Sequence, residues 1–334
     1  MGIIRYYKIS FKKDNSIVNL LVTGGCGFIG SNFIKMILES KRSCVSRLVN
    51  LDTLSYAGTI SNVQDCEGDE KYFFEKVDLC DAAKVEAVFD KHGITHVVHL
   101  AAESHVDNSI TNPGAFIQSN IIGTYNLLNA SRRASIVRLH HVSTDEVYGD
   151  LGDTGEFSET TPYNPHNPYS ASKASSDFLV KSYFHTYGLP VTLSNCSNNF
   201  GPHQHDEKFI PTVIRSILQG KKIPLYGEGR NIRDWIYVKD HCEGIWEVFQ
   251  NGRLGETYCI GARCEKRNIE IVEEICKILK VEAANSIAYV QDRAGHDYRY
   301  AIDNTKITTQ LSWSPQTAFT DGIRKTIEWY NEKY

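Results

Sequence analysis

Val18–Thr23 is a short apolar run that ends in a glycine cluster, Thr23-Gly-Gly-Cys-Gly-Phe-Ile-Gly30. A helical pattern follows at once, with Phe33, Ile34, Ile37 and Leu38 on one face. A buried strand, a glycine turn and a helix in that order leave few folds open. Such a turn brings backbone N–H groups and a helix N-terminus against a bound pyrophosphate. Gly24, Gly27 and Gly30 are the expected key glycines, and Phe28 and Ile29 share their turn as expected cofactor contacts. Asp52 closes the next strand-like run, about 20 residues further on. A carboxylate there accepts from a ribose 2′-hydroxyl and repels a 2′-phosphate. The expected cofactor is therefore NAD rather than NADP.

Strand-like and helix-like runs then alternate. Residues 47–51, 72–77, 96–100, 137–143 and 191–195 read as strands. Residues 81–92, 121–133 and 169–187 read as helices. This alternation implies parallel crossovers and an α/β fold, a Rossmann-like doubly wound parallel sheet. Past residue 196 the pattern breaks up, with Gly, Pro and Asn clustered at 198–204 and 224–231 and helical stretches at 208–219, 239–250, 268–280 and 321–332. The expected organisation is a polar extension over 1–17, an NAD-binding domain over 18–196, and a smaller mixed α/β lobe for substrate over 197–334. A chain of 334 residues is long enough for two such units.

Composition removes several classes. Lys and Arg number 36 against 40 Asp and Glu, a net charge of −4 that lacks the basic excess of a nucleic-acid binder. The chain has no apolar run long enough for a membrane span and no apolar core of a secretory signal near the start. Nine cysteines occur without CxxC or Cys/His ligand spacing, so no metal site is expected, and free thiols in a cytoplasmic protein fit best.

Two segments carry chemistry. Tyr169-Ser-Ala-Ser-Lys173 places a phenol and an ammonium at i and i+4, on one helix face. The ammonium is expected to lower the phenol's pKa towards that of a working base. Ser143-Thr-Asp-Glu-Val-Tyr-Gly149 starts at the C-terminal edge of a strand, where ligands of such sheets bind. Thr144 can hydrogen-bond a substrate hydroxyl. Asp145 and Glu146 are adjacent carboxylates whose repulsion pushes one pKa up, so that one serves as acid and the other as base.

The GxxGxxG spacing resembles that of the extended short-chain dehydrogenase/reductase superfamily. The resemblance implies that Asp78 and Leu79 contact adenine, and that Ala101 and Ala102 line the pyrophosphate. For Asp78 the alternative is a cap on the helix at 81–92. Within the superfamily the chain resembles the dTDP-glucose 4,6-dehydratase family. The matching segments are TGGCGFIGSN at 23–32, HLAAESHVDNSI at 99–110, STDEVYG at 143–149 and NPYSASKA at 167–174. SNCSNNFGP at 194–202, RDWIYVKDH at 233–241 and RAGHDYRYAID at 293–303 also match.

That resemblance implies an internal redox reaction on a nucleotide-diphosphate sugar, linked to dTDP or UDP. Tyr169, with Lys173 and helped by Thr144, takes the C4 hydroxyl proton while NAD oxidises C4. Glu146 removes the C5 proton, Asp145 protonates the departing C6 hydroxyl, and hydride returns to C6. Ser143 is implied on the cofactor side, and Ser104, Asn199, Lys208, Arg233, Asn268 and His296 on the substrate side. A homodimer through helices at about 112–133 and 169–187 is implied too. The chain departs from the family pattern at Cys26, Asn108, Asp206 and Ala294, and these departures bear on which sugar nucleotide is used. A UDP-N-acetylglucosamine-type dehydratase and a 5-epimerising relative are the near alternatives. A 4-epimerase, a decarboxylase and a non-catalytic NAD-binding protein are more distant. Asp145 with Glu146 argues against the epimerase, which needs no acid–base pair at C5 and C6.

Overall fold

The computed structural model describes residues 18–40, 44–292 and 296–334. The 1–17 extension and Ala294 lie outside the described residues. In chain order the strands are β1 Val18–Thr23, β2 Val45–Asp52, β3 Tyr72–Lys76, β4 His96–His99, β5 Arg138–Thr144 and β6 Val191–Cys196. They continue as β7 Asn198–Phe200, β8 Ile223–Tyr226, β9 Ile232–Tyr237, β10 Thr257–Ile260, β11 Glu265–Arg267 and β12 Ile287–Val290.

Seven strands form one parallel sheet in the order β10-β6-β5-β4-β1-β2-β3. The order reverses beside β1, which opens a crevice at the strand C-termini between β1 and β4. Successive residues of β1 face opposite layers. Leu21 joins the cluster under helices Ala82–His92, Gly123–Arg133 and Pro168–Tyr187, with Val85, Leu128 and Val180. Leu20 and Val22 join the cluster with Phe33, Ile37, Ile245 and Phe249 on the other face. Burial on both faces explains why β1 reads as a continuous apolar run rather than an alternating one.

The long helix Pro168–Tyr187 has strong local signals at both ends. Asn167 and Ser170 form a reciprocal capping box, Pro168 occupies the first turn, and Gly188 ends the helix in the left-handed conformation at φ 69°. The helix expected over 121–133 is the last part of a longer path: Pro113–Phe116 runs through a π-helical turn, Ile117–Ile122, into Gly123–Arg133.

The second half of the chain builds a three-stranded sheet, β11-β9-β7, and a parallel pair, β12-β8. It also returns to the main sheet. β10 is the seventh strand there, and helix Val238–Asn251 packs on the face of Leu20. Buried Arg138 on β5 holds this return by donating to the carbonyls of Phe249, Gln250 and Gly252 at the helix end. The main sheet therefore draws on both sides of residue 196.

Candidate active site

The C-terminal ends of β1, β2, β4, β5 and β6 open into one cavity of about 300 Å³. At its floor Gly24 adopts φ 72°, and a Cβ there would lie 2.7 Å from the Ala101 backbone. A Cβ on Gly30 would lie 2.1 Å from the Gly24 carbonyl oxygen. Gly25 is tight too, its Cβ meeting Asn50 Oδ1 at 2.2 Å, but against side chains rather than backbone. Gly27 is looser at 3.3 Å and serves as the N-cap of helix Phe28–Glu39. The spacing pointed to Gly24, Gly27 and Gly30, and missed that Gly25 packs against a side chain of the next strand. Gly30→Ala is expected to weaken NAD binding at least about tenfold, as measured by titration calorimetry.

Asp52 lies at the end of β2 and lines the cavity. Its Oδ2 accepts from Cys26 N at 2.9 Å and its Oδ1 from Leu54 N at 2.8 Å. These bonds oppose burial, which raises its carboxyl pKa. Each oxygen keeps a second lone pair for a ribose hydroxyl. The neighbouring cavity residues Thr53, Ser55, Ala57 and Gly58 offer no cation to a 2′-phosphate. Asp78 accepts from Cys80 N, whereas Asp81 caps the following helix through Lys84 N, so the capping alternative for Asp78 fails. Asp78, Leu79, Ala101 and Ala102 all line the cavity, as do Phe28 and Ile29. Thr23 fixes the far side by accepting from Leu100 N and Ala101 N at 3.2 Å each. A cradle that a Cβ would fill, next to a carboxylate placed for a ribose, fits NAD.

Ser143, Thr144, Asp145, Glu146, Tyr169 and Lys173 line the opposite end. Thr144 is the hub. Its hydroxyl hydrogen-bonds the Tyr169 phenol, donates to Asp145 Oδ1 at 3.3 Å and accepts from Glu146 N at 3.3 Å. Asp145 is 2% exposed and its Oδ2 has no partner. Burial, then the Glu146 and Asp234 charges, hold its carboxyl well above the ordinary range. That is the environment of a neutral acid.

Tyr169 corrects the expectation drawn from its motif. Burial, then the Glu146 charge, pushes its phenol well up. The Lys173 ammonium turns instead to the Val142 carbonyl, 2.8 Å away. Burial lowers the Lys173 pKa, with Asp177 opposing.

The expected substrate residues divide into two sets. Ser104, Asn199 and Lys208 line the cavity, and Lys208 Nζ donates to the Ser104 carbonyl at 2.8 Å. The Asn199 carboxamide is already engaged. It accepts from His241 Nδ1 at 2.8 Å and donates to the Ser197 carbonyl at 3.0 Å. Adjacent Asn198 also lines the cavity, and its buried Oδ1 has no partner. Arg233, Asn268 and His296 do not line the cavity. The Arg233 fork, expected to grip a diphosphate, donates to the Ile232, Asp297 and Tyr298 carbonyls and sits 4.2 Å over the Tyr300 ring. Half-buried Asn268 begins helix Asn268–Leu279. His296 Nδ1 lies 2.6 Å from Asp292 Oδ1. None of the three lines the cavity, although the Arg233 charge still acts on Asp145 at the reaction centre. Among the described residues no cluster of His, Cys, Asp and Glu could hold a metal, and no helix is long and apolar enough to cross a membrane.

The family model for GDP-mannose 4,6 dehydratase matches residues 21–326. The dTDP-glucose 4,6-dehydratase of Escherichia coli is 49% identical over 94% of this chain and 92% of its own. The chain belongs to the dTDP-glucose 4,6-dehydratase family. A dTDP-glucose 4,6-dehydratase from Streptomyces venezuelae, solved with NAD bound, superposes with a TM-score of 0.91 at 42% identity, covering 94% of this chain and 97% of that one. The UDP-glucose 4-epimerase of Thermotoga maritima, solved with UDP-glucose, matches at TM-score 0.87 with only 26% identity, covering 95% and 99% of the two chains. In this family fold Asp177 and Asn195, which the sequence reading did not single out, lie directly beneath the reaction centre. Asn195 Nδ2 donates to the Thr144 carbonyl at 3.0 Å.

Proposed function

We propose that the chain is an NAD-dependent hydro-lyase that converts dTDP-glucose to the 4-keto-6-deoxy sugar nucleotide. The observation that carries this reading is Asp145, held as a neutral acid, beside Glu146 and the Thr144–Tyr169 pair in one cavity. When bound, NAD supplies the two-electron oxidant for C4 and restores the pair at C6. Tyr169 and Thr144 hold the C4 hydroxyl, and Tyr169, once ionised to the phenolate, takes its proton and becomes the neutral phenol. A ketone at C4 acidifies the C5 hydrogen, which Glu146 removes as a base. Asp145 donates its proton to the C6 hydroxyl as it leaves. Ser104, Asn198, Asn199 and Lys208 bound the sugar end, and Arg233, Asn268 and His296 form the nucleotide side of the second lobe. The near alternative acts on UDP-N-acetylglucosamine. Separate incubations with the two sugar nucleotides test the choice: water loss from dTDP-glucose alone supports the reading, and loss from UDP-N-acetylglucosamine alone overturns the substrate.

The chain is further proposed to act as a cytoplasmic homodimer. Ile117, Ile122 and Tyr125 on one helical path, and Phe178 and Tyr187 on the long helix beside it, are 37–58% exposed. Apolar side chains of this size on two adjoining helices fit a self-complementary interface. Phe178→Asp is expected to shift the sedimenting species from dimer to monomer.

A further inference from the structure

The long helix carries more buried charge than the reaction steps use. Tyr169, Lys173, Asp177 and Lys181 recur at every fourth position, so they share one face. Asp177 is fully buried, yet its carboxyl is held below the ordinary range by His141, Lys173 and Ser143 against the cost of burial. Its Oδ2 accepts from Ser143 Oγ at 2.8 Å and from Tyr163 OH at 2.9 Å, and its Oδ1 lies 3.1 Å from His141 Nε2. Asn195 Nδ2, 3.5 Å from the same Oδ2, also holds the Thr144 carbonyl, and its own Oδ1 accepts from Tyr148 OH at 3.2 Å. One carboxylate therefore ties the helix of Tyr169 and Lys173 to both ends of the Thr-Asp-Glu turn.

Asp177, one helical turn beyond Lys173, is the carboxylate whose charge acts on that ammonium. His141 on β5 is pushed down to about 4 by burial and by Lys173, so at neutral pH it hydrogen-bonds Asp177 without neutralising it. His99 on β4 is held well below its ordinary value by burial and is neutral as well. Cys196 on β6, Cys259 on β10 and Tyr163 are all pushed up by burial and stay protonated. Lys181, one turn further along, is a second cation that Asp177 supports. Asp145 and Glu146 act on Tyr169. Lys173 itself, 4% exposed, has the Val142 carbonyl as its hydrogen-bond partner.

We propose that Asp177 is a positioning residue: it is the buried counter-ion that keeps the Lys173 ammonium charged, and it locks the Ser143–Glu146 turn against the helix that carries Tyr169. Its link to turnover rests on the dehydratase reading, whereas the charge pairing does not. Removing the carboxylate charge leaves Lys173 to lose its proton at lower pH, so the alkaline limb of the pH–kcat profile moves to lower pH.

The test uses Asp177→Asn, Asp177→Glu, Lys173→Met and the double variant Lys173→Met/Asp177→Asn, each in the full chain. For Asp177→Asn the expected result is a kcat lower by about 10–100-fold, a KM within about twofold, and an alkaline limb displaced by about one pH unit or more. Asp177→Glu is expected to recover part of the profile. A pH profile that superimposes on the parent's, or a loss confined to KM, overturns the positioning role. Thermal unfolding of the same four proteins reads the charge pairing without any substrate, and so separates failure of this proposal from failure of the dehydratase reading. Asp177→Asn, which strands a buried ammonium, is expected to melt below the double variant, which has neither charge. If the double variant melts no higher than Asp177→Asn, Asp177 is not the counter-ion. The same comparison holds if Asp177→Asn alone fails to fold, because the double variant is then expected to recover folded protein.

Discussion

Glu146→Gln is expected to stop both water loss and exchange of the C5 hydrogen with solvent, with turnover reduced about 10²–10⁴-fold. Asp145→Asn is expected to reduce water loss by a similar factor while C5 exchange continues. The difference follows from their roles. In the proposed roles Glu146 acts on the C–H bond once C4 is a ketone, and Asp145 is needed only when the C6 oxygen leaves. Proton NMR of substrate recovered from D₂O distinguishes the two variants. Exchange that persists in Glu146→Gln would assign the base elsewhere.

Asp145→Asn carries a second consequence. The folded carboxyl is raised well above its ordinary value, first by burial and then by Glu146. Above the unfolded pKa of about 4 the unfolded chain gives up this proton while the folded chain keeps it, so stability falls as pH rises towards the folded pKa. An amide of the same shape removes that cost. The variant is therefore expected to melt higher than the parent at pH 7 while turning over far less, and the two to converge below about pH 4.

Tyr169→Phe is expected to reduce turnover by about 10³-fold or more with NAD binding retained. Without the phenolic oxygen Thr144 keeps its bonds to Asp145 and to Glu146 N, but nothing takes the C4 proton. The raised phenol pKa places its ionisation under the control of what binds beside it. A Tyr169→Phe protein that still turns over at the parent rate would favour a non-catalytic role for the pair Tyr169 and Lys173.

Much of this arrangement is legible in the sequence because its determinants are local. β1 has the expected bounds, since a short apolar run closed by glycines has few other readings. The long helix is marked by Asn167, Pro168 and Gly188. β7, β8, β10, β11 and β12 are three or four residues each, too short for a period to register. The role of β10 as seventh strand of the main sheet is set by a contact between distant segments. Arg233 looked like a free diphosphate fork, yet its bonds go to carbonyls about 65 residues away in sequence, which no local pattern encodes. The upward shift of Tyr169 is likewise a matter of burial, and burial depends on the closed cavity rather than on the Tyr-x-x-x-Lys spacing. Asp177 was within reach of the sequence as the next step of a four-residue repeat, and its significance shows only where Ser143, Tyr163 and His141 converge on it.

Oxidation, elimination and reduction on one sugar are all proposed to take place in this one active site. The most direct measurement is mass spectrometry of the product formed from dTDP-glucose in D₂O with NAD present. The expected product has lost one water and gained a single deuterium at C5, with the C6 methyl carrying the hydrogen that began at C4. Deuterium at C6 in place of that transferred hydrogen, or a product that keeps its C6 hydroxyl, contradicts that proposal.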